Sequence, residues 1–136
     1  MAATLHAELL TPERVLFVGD ATTVILRSGL GDLAFLANHA PFIGSVDICV
    51  TKIERPEGGD LYAAVHGGVV HVAANRVVIL ADIAELANEI DVDRARRALE
   101  RAEEELIHSN DAKTEAALRR AHVRLSISSA AEVRHN

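Results

Sequence analysis

Tryptophan is absent from this sequence, and aromatic residues of all kinds make up only 3% of its 136 residues. Positive charge is also scarce, because 14 Lys and Arg face 20 Asp and Glu and the formal net charge is -6. Proteins that bind nucleic acids use basic patches and stacking aromatic side chains. The composition therefore predicts no nucleic-acid partner.

Cysteine and long apolar runs are equally sparse. Cys49 is the only cysteine, so no internal disulfide can form, and its apolar neighbours Ile48 and Val50 favour a buried thiol over a reactive one. The longest mostly apolar run, residues 77–84, is far shorter than the ~20 residues that span a bilayer. The N-terminus lacks the basic region and apolar core of a signal peptide. These absences predict a cytoplasmic protein without direct membrane insertion.

The strong signatures of catalytic and metal sites are missing too. The sequence contains no phosphate-binding loop, no dinucleotide-binding glycine pattern, no zinc-protease motif and no cysteine pair. His66 and His71 lie five positions apart across two glycines in a strand region, which favours opposite faces over a shared metal. No nucleophile or carboxylate can be placed beside His39. We therefore expect a protein that is not an enzyme.

Short β-type segments fill the first two thirds of the chain. Turn residues interrupt them about every 8–12 positions, and no helical segment lies between them, which is typical of an antiparallel sandwich or barrel. The predicted strands are residues 4–10, 14–18, 21–28, 33–36, 44–55, 61–66, 69–73 and 77–82. The pair Gly67–Gly68 predicts a bulge or a close backbone approach.

Helical spacing replaces this pattern after Asp91, which is a suitable N-cap residue. Apolar residues then recur in steps of three and four, and they predict a helix over residues 92–107 with the seam Val92, Ala95, Leu99, Ala102 and Leu106. A second helix is predicted over 112–125, with the seam Thr114, Ala117 or Leu118, Ala121 and Leu125. The short connection makes the helices an antiparallel hairpin, and such a pair is too small to be stable without a surface to pack on.

The two helices carry an unusual number of arginines: Arg94, Arg96, Arg97, Arg101, Arg119, Arg120 and Arg124. Two interpretations remain open. The arginines could form solvated faces stabilised by i, i+4 pairs with glutamates. Alternatively, Arg94 and Arg101 on one helix could meet Arg120 and Arg124 on the other and bind a polyphosphate through charge-assisted hydrogen bonds.

Three segments in register resemble the epsilon subunit of bacterial F-type ATP synthase, which corresponds to delta in mitochondria. Residues 31–41, G-D-L-A-F-L-A-N-H-A-P, are similar to the family pattern G-x-L-G-I-x-x-x-H-A-P, and residues 65–82 are similar to its G-G-x-x-x-V-x-x-N-x-V-T-V-L-A-D. The order of sandwich and hairpin also agrees. The sequence departs from the pattern at Ala34, where the family often has Gly, and at residues 37–38, where Ala–Asn replaces Pro–Gly.

The resemblance implies an all-β sandwich of two five-stranded antiparallel sheets followed by a C-terminal antiparallel two-helix hairpin. The expected domains are residues 1–86 and 87–128, with a flexible tail over 129–136.

The implied role is that of a non-catalytic central-stalk subunit that binds the gamma subunit and the c-ring and couples proton flow to ATP synthesis. Such a subunit is peripheral, at the cytoplasmic face of the cell membrane. In many members the hairpin extends toward the catalytic alpha and beta subunits and inhibits ATP hydrolysis.

The resemblance also implies two sets of site residues. The c-ring contact falls on His39, Ala40, Pro41 and Phe42. No cofactor is required, but in some members ATP is a regulatory ligand of the folded hairpin. The ATP site of those members falls on Glu85, Ile90, Asp91, Arg94, Ala95, Arg101, Arg120 and Arg124, and Lys113 stands where another arginine can occur.

A second hypothesis from the same residues is a free-standing β-sandwich that binds a small molecule or a peptide and carries a regulatory helical hairpin. Recovery of gamma and c subunits with the protein would favour the rotor subunit, whereas a lone monomer would favour this alternative.

Overall fold

The computed structural model describes the backbone of residues 3–29 and 31–135, and the side chains of these ranges as far as Ser128. The described strands are β1 (Leu5–Leu10), β2 (Val15–Ala21), β3 (Thr23–Ser28), β4 (Gly31–Leu36), β5 (Phe42–Glu54), β6 (Asp60–Ala73), β7 (Arg76–Ala81) and β8 (Ala84–Leu86). A short 3-10 turn, Ala87–Glu89, which we call the hinge turn, leads to helices α1 (Val92–His108) and α2 (Ala112–His135).

The strands form a sandwich in which two long strands belong to both layers. Hydrogen bonds run through the order β2-β1-β7-β6-β5-β3-β4, and β8 pairs with β6. The first half of β6 pairs with β8 and its second half with β7. The first layer therefore contains β2, β1, β7 and parts of β6 and β5, and the second contains β4, β3, β8 and the other parts of β5 and β6. Counted in this way, each layer has five strands, and the predicted sandwich is confirmed.

Two adjacent glycines allow β6 to change layers. Gly67 and Gly68 have φ angles of 85° and 150°, which other residues rarely adopt. A Cβ atom at Gly68 would collide with the carbonyl oxygen of Leu80 and would lie 2.9 Å from the Cα of Ala81. The register between β5 and β6 skips one residue on each strand at this point. The predicted irregularity and close backbone approach are therefore both present.

One strand pair differs from the expected antiparallel arrangement. β1 and β7 are parallel, with His6 opposite Arg76 and Leu10 opposite Leu80. Antiparallel pairing is imposed when a tight turn joins two strands, but β1 and β7 are separated by most of the sandwich. No local turn signal constrains their relative direction, so the tertiary fold decides it.

The hydrophobic core lies between the two layers and is built by the sandwich alone. Its buried members come from alternate positions of the strands, such as Leu5, Ala7 and Leu9 on β1, and none of them belongs to α1 or α2. On β6, Ala63 and Val65 belong to this core, so Ala64 and His66 must face the opposite side of the second layer. Both are nevertheless buried, because α2 packs against β5 and β6 on that side.

The hairpin is formed as predicted, with one correction to its length. The seam residues Ala95, Ala102, Thr114 and Ala121 are buried where α1 packs on α2. Helix α2 continues to His135, so its predicted end at Leu125 is wrong. The stretch after Leu125 contains no Gly or Pro to stop a helix, and alanines at 130 and 131 favour one. Flexibility of residues 129–136 stays a prediction, and Asn136 lies outside the described residues.

Neither described helix combines the length and the apolar character needed to cross a membrane.

Because the core cluster excludes the hairpin, we expect a chain that ends at Ile90 to remain folded. It keeps all residues of the core and the hinge turn, so circular dichroism should show a β spectrum and a cooperative thermal transition. Val70→Asp in the same shortened chain is the matched control, since it places a charge at a fully buried position and should abolish the transition. An unfolded shortened chain would contradict the division into two units.

Candidate functional site

The hinge turn is held in place by one carboxylate. Glu89 accepts a hydrogen bond from the backbone N–H of Leu86 at 2.8 Å, and both its oxygens accept from the guanidinium of Arg14, at 2.6 and 2.7 Å. Arg14 lies in the turn between β1 and β2, so this contact ties the start of the hairpin to the sandwich. The Arg14 guanidinium holds the pKa of the Glu89 carboxyl below its ordinary value.

Aspartates begin both helices. Asp91 Oδ1 accepts from the backbone N–H of Arg94 at 3.1 Å, which confirms the predicted cap of α1. Asp111 Oδ1 accepts from the backbone N–H of Thr114 at 2.8 Å, so Asp111 caps α2. This hydrogen bond lowers the pKa of the Asp111 carboxyl. The caps fix where each helix begins, and the buried seam of alanines and Thr114 decides which side of the hairpin its arginines occupy.

A three-residue network joins the sandwich to α2. Glu85 on β8 accepts with the same oxygen, Oε1, from Arg124 Nε at 2.7 Å and from His66 Nε2 at 3.1 Å. The carboxylate can only accept, so the proton of the neutral imidazole must be on Nε2. The side chain of His66 is only 2% exposed. Burial is the main cause that lowers the pKa of His66, and the positive charge of Arg124 lowers it further.

A cavity of about 270 Å³, which we call the hinge cavity, opens beside this network. It is lined by Glu85, Glu89, Asp91, Arg94, Ala95, Ala98, Arg101 and Arg124. A second cavity of about 590 Å³, the turn cavity, lies between the helices toward their connection. Its lining includes Arg101, Lys113, Thr114, Ala117 and Arg120. Arg101 lines both cavities, so they adjoin along one groove of the hairpin.

The groove brings together most of the residues that sequence comparison assigned to nucleotide binding. Six of the eight candidates line the hinge cavity: Glu85, Asp91, Arg94, Ala95, Arg101 and Arg124. Arg120 lines the turn cavity instead, and Ile90 connects the hinge turn to the cap of α1. The sequence analysis missed Ala98, which is on the same helical face as Arg94 and Arg101 and could have been found from that spacing. It also missed Glu89 and the burial of His66 in the interface with α2. Both depend on contacts with residues that are far away in the sequence.

The charges of the groove are only partly compensated. The hinge cavity holds three carboxylates, but Glu89 is paired with Arg14, Glu85 with Arg124, and Asp91 caps α1. Among the side chains that the structure describes, Arg94, Arg101 and Arg120 form no ion pair. In the turn cavity, Arg101, Lys113 and Arg120 stand beside the carboxylates of Glu104, Glu105 and Asp111. The groove therefore presents three guanidinium groups that form no ion pair, and their N–H groups can donate charge-assisted hydrogen bonds to an anionic ligand.

The loop before β5 is rigid and exposed. The ring of Phe35 is in edge contact with His39, with centroids 5.0 Å apart, and in tilted contact with Phe42, with centroids 5.6 Å apart. Asn38 has a φ of 62°, a conformation that Gly or Asn adopts readily, and its N–H donates to Asn75 Oδ1 at 2.8 Å. The replacement of Pro–Gly by Ala–Asn at residues 37–38 therefore keeps a left-handed turn. His39, Ala40 and Pro41 are exposed, whereas Phe42 is half-buried.

An apolar row crosses the outer surface of the first layer. The strand register places Val69 opposite Leu80, Leu80 opposite Leu10, and Leu10 opposite Val15. Directly opposite residues share one face of a sheet, so these four form a continuous patch, which we call the outer apolar face. Val15 is 62% exposed, Leu80 53% and Val69 46%. Large contiguous apolar patches on a soluble surface mark interaction sites.

The fold and the site define a two-part protein: a β-sandwich with an exposed apolar face, joined by a capped hinge to a hairpin of two helices with several arginines along one groove. The model of the ATP synthase delta/epsilon chain β-sandwich domain matches residues 4–87, and the model of the long alpha-helix domain of the same chain matches residues 88–129. The chain belongs to the ATP synthase delta/epsilon chain family. Its sequence resemblance to that family is therefore confirmed.

Individual relatives agree with this assignment. The chain is 46% identical over 125 residues to the ATP synthase epsilon chain of Streptomyces griseus, covering 92% of this chain and 95% of the relative. It is 44% identical over 130 residues to that of Streptomyces avermitilis, covering 96% and 99%. A chain in the structure of Euglena gracilis mitochondrial ATP synthase has a similar fold, with a TM-score of 0.80 at 22% identity and coverage of 94% and 82%.

The network at Glu85 predicts how docking of the hairpin responds to mutation. Arg124→Gln removes the charge that pairs with a partly buried carboxylate, and should weaken docking by about 1–3 kcal/mol. Amide hydrogen exchange in α2 should then be faster by about tenfold or more. Arg119→Gln is the matched control, because Arg119 is exposed on the same helix. Equal exchange in the two variants would show that the ion pair does not hold the hairpin.

Proposed function

We propose that this chain is the epsilon subunit in the rotor of an F-type ATP synthase, where it couples rotation of the c-ring to ATP synthesis through gamma without catalysing a reaction itself. The observation that carries the proposal is the outer apolar face. The hairpin covers the outer surface of the second layer, whereas this row on the first layer is exposed in the isolated chain. A permanent partner subunit would cover it, and we assign that role to gamma.

The second rotor contact in this proposal is the loop over residues 39–42, which meets the c-ring. Its support is geometric: Phe35 and Asn75 hold the loop, and its tip carries exposed His39, Ala40 and Pro41. A stiff loop transmits torque between two rotating subunits better than a mobile one. In this proposal the protein is peripheral, at the cytoplasmic face of the cell membrane.

Replacement of Leu80 by Asp tests the assignment of gamma. The variant puts a charge in the centre of the outer apolar face, and we expect gamma and c subunits to be lost from the tagged protein when it is purified from detergent-solubilised membranes. Ile107→Asp is the matched control. Ile107 is an apolar residue with 80% exposure, but it belongs to α1 and not to the outer apolar face. If the unaltered chain recovers no gamma or c subunit, the free-standing ligand-binding sandwich becomes the better hypothesis.

The hairpin groove is assigned to regulatory ATP. Arg94, Arg101 and Arg120, which form no ion pair with a described side chain, flank the two adjoining cavities, and Lys113 lies at the far end near the carboxylates of Glu104, Glu105 and Asp111. A triphosphate there would form charge-assisted hydrogen bonds to guanidinium groups of both helices and would hold the hairpin against the sandwich. Without ATP, repulsion among the arginines favours opening. The released hairpin would then extend toward the alpha and beta subunits and inhibit ATP hydrolysis.

The affinity for ATP should be modest. The groove is open to water and Lys113 offers a point charge where a planar guanidinium would bind two oxygens, so we expect micromolar to millimolar dissociation constants, or roughly -8 to -4 kcal/mol. Arg94→Gln combined with Arg101→Gln should weaken binding by about tenfold or more, because each lost charge-assisted bond contributes about 1.5–3 kcal/mol.

Isothermal titration with ATP measures this effect. Arg97→Gln is the control, since Arg97 is exposed on α1 and lines neither cavity. Equal affinities in the control and the double variant would leave the arginines as ordinary solvated side chains, and so would the absence of heat from the unaltered chain at millimolar ATP.

A further inference from the structure

The imidazole of His66 is buried in the interface between the sandwich and α2 with one of its two nitrogens unsatisfied. Nε2 donates to Glu85, but Nδ1 is enclosed and has no hydrogen-bond partner among the described residues. In the neutral tautomer this nitrogen carries a lone pair, and leaving it unpaired has a moderate cost. Protonation would turn it into a buried N–H donor without an acceptor, which costs more because the ring is then also charged.

The charges around His66 oppose its protonation as well. β8 contributes Glu85, but that carboxylate is already paired with Arg124 of α2 at 2.7 Å. Arg120, one helical turn earlier on α2, adds a second positive charge toward the ring. On β5, the residue opposite His66 is Ile48, which carries no charge. A protonated His66 would therefore make the third cation around one carboxylate at a site where its own ring is almost fully buried.

We propose that His66 makes docking of the helical hairpin on the sandwich sensitive to pH, so that uptake of one proton by this residue releases α2. The docked hairpin excludes water from the ring and keeps it neutral. Once α2 moves away, the ring is exposed on the outer surface of the second layer and loses the repulsion of Arg120 and Arg124. It then binds a proton as an ordinary surface histidine does. The inference concerns the isolated chain and does not depend on ATP binding or on the rotor role.

The direction of the effect follows from proton linkage. The pKa of His66 is below its ordinary value of about 6.5 while the hairpin is docked, and returns toward that value on release. Between the two pKa values the released form binds more protons, so docking weakens as the pH falls. Above pH 6.5 the docked form keeps its full stability. Within the sensitive range the equilibrium constant for release should rise by up to about tenfold for each unit by which the pH falls, because a single proton is taken up.

Energy transfer within the full chain measures this equilibrium. Dyes attached to Glu57→Cys on the sandwich and Ile107→Cys on α1, with Cys49→Ala to remove the native thiol, report the position of the hairpin. Both labelled positions are exposed. Titration from about pH 8 to about pH 5 should shift the equilibrium from the docked toward the released state within the range in which histidine titrates.

His66→Gln should shift this transition to lower pH or abolish it. Its amide can still donate a hydrogen bond to Glu85 but cannot gain a charge in this range. His71→Gln is the matched control, because His71 is an exposed histidine on the same strand. Equal transitions in the two variants would overturn the proposal, and so would a hairpin that stays docked throughout the titration of the unaltered chain.

A direct measurement keeps the proposal testable if His66→Gln does not fold. NMR titration of the imidazole protons in the unaltered chain gives the apparent pKa of His66. A value below the ordinary value of about 6.5 is expected, and a value equal to or above it would overturn the proposal.

Discussion

The arrangement of the hairpin on the sandwich depends on one contact surface, the outer side of the second sheet layer, where α2 lies on β5 and β6. The hairpin has seams of alanine and threonine and contributes nothing to the core between the layers. Its position therefore rests on burying Ala64 and His66 and on the ion pair between Glu85 and Arg124. The hinge cavity exists only while this contact is made, because its lining comes from β8, the hinge turn, α1 and α2.

In our proposals, docking of the hairpin on the sandwich responds to two ligands in opposite directions. ATP favours the docked hairpin because its phosphates bind arginines that form no ion pair in the protein. Protons favour the released hairpin because they cannot be accommodated on His66 in the docked state. Both act on one equilibrium, so each should weaken the binding of the other, and the coupling must be reciprocal. Glu85 is the common element, since it faces both the cavity and the imidazole.

In our proposals, one outer surface of the sandwich takes part in a permanent interaction and the other in a reversible one. The first layer presents apolar side chains at 46–62% exposure, which suits a partner that does not leave. The second layer presents small residues and a titratable network, which suit a helix that docks and releases. The core between them is independent of both surfaces, so the sandwich can stay rigid while the hairpin moves. The glycine break in β6 and the long strands β5 and β6 join the layers into one body.

The sequence by itself determined the local elements and the family. Asp91 caps α1, the seam from Val92 to Leu106 orients it, and glycines mark the break in β6, because caps, periodicity and backbone freedom depend on neighbouring residues. Resemblance to the family located most of the cavity residues. Only the tertiary structure decided the parallel pairing of β1 with β7, the bond from Arg14 to Glu89, and the burial of His66 beneath α2. These features join residues far apart in the chain, and no local pattern encodes which distant surface an amphipathic element will meet.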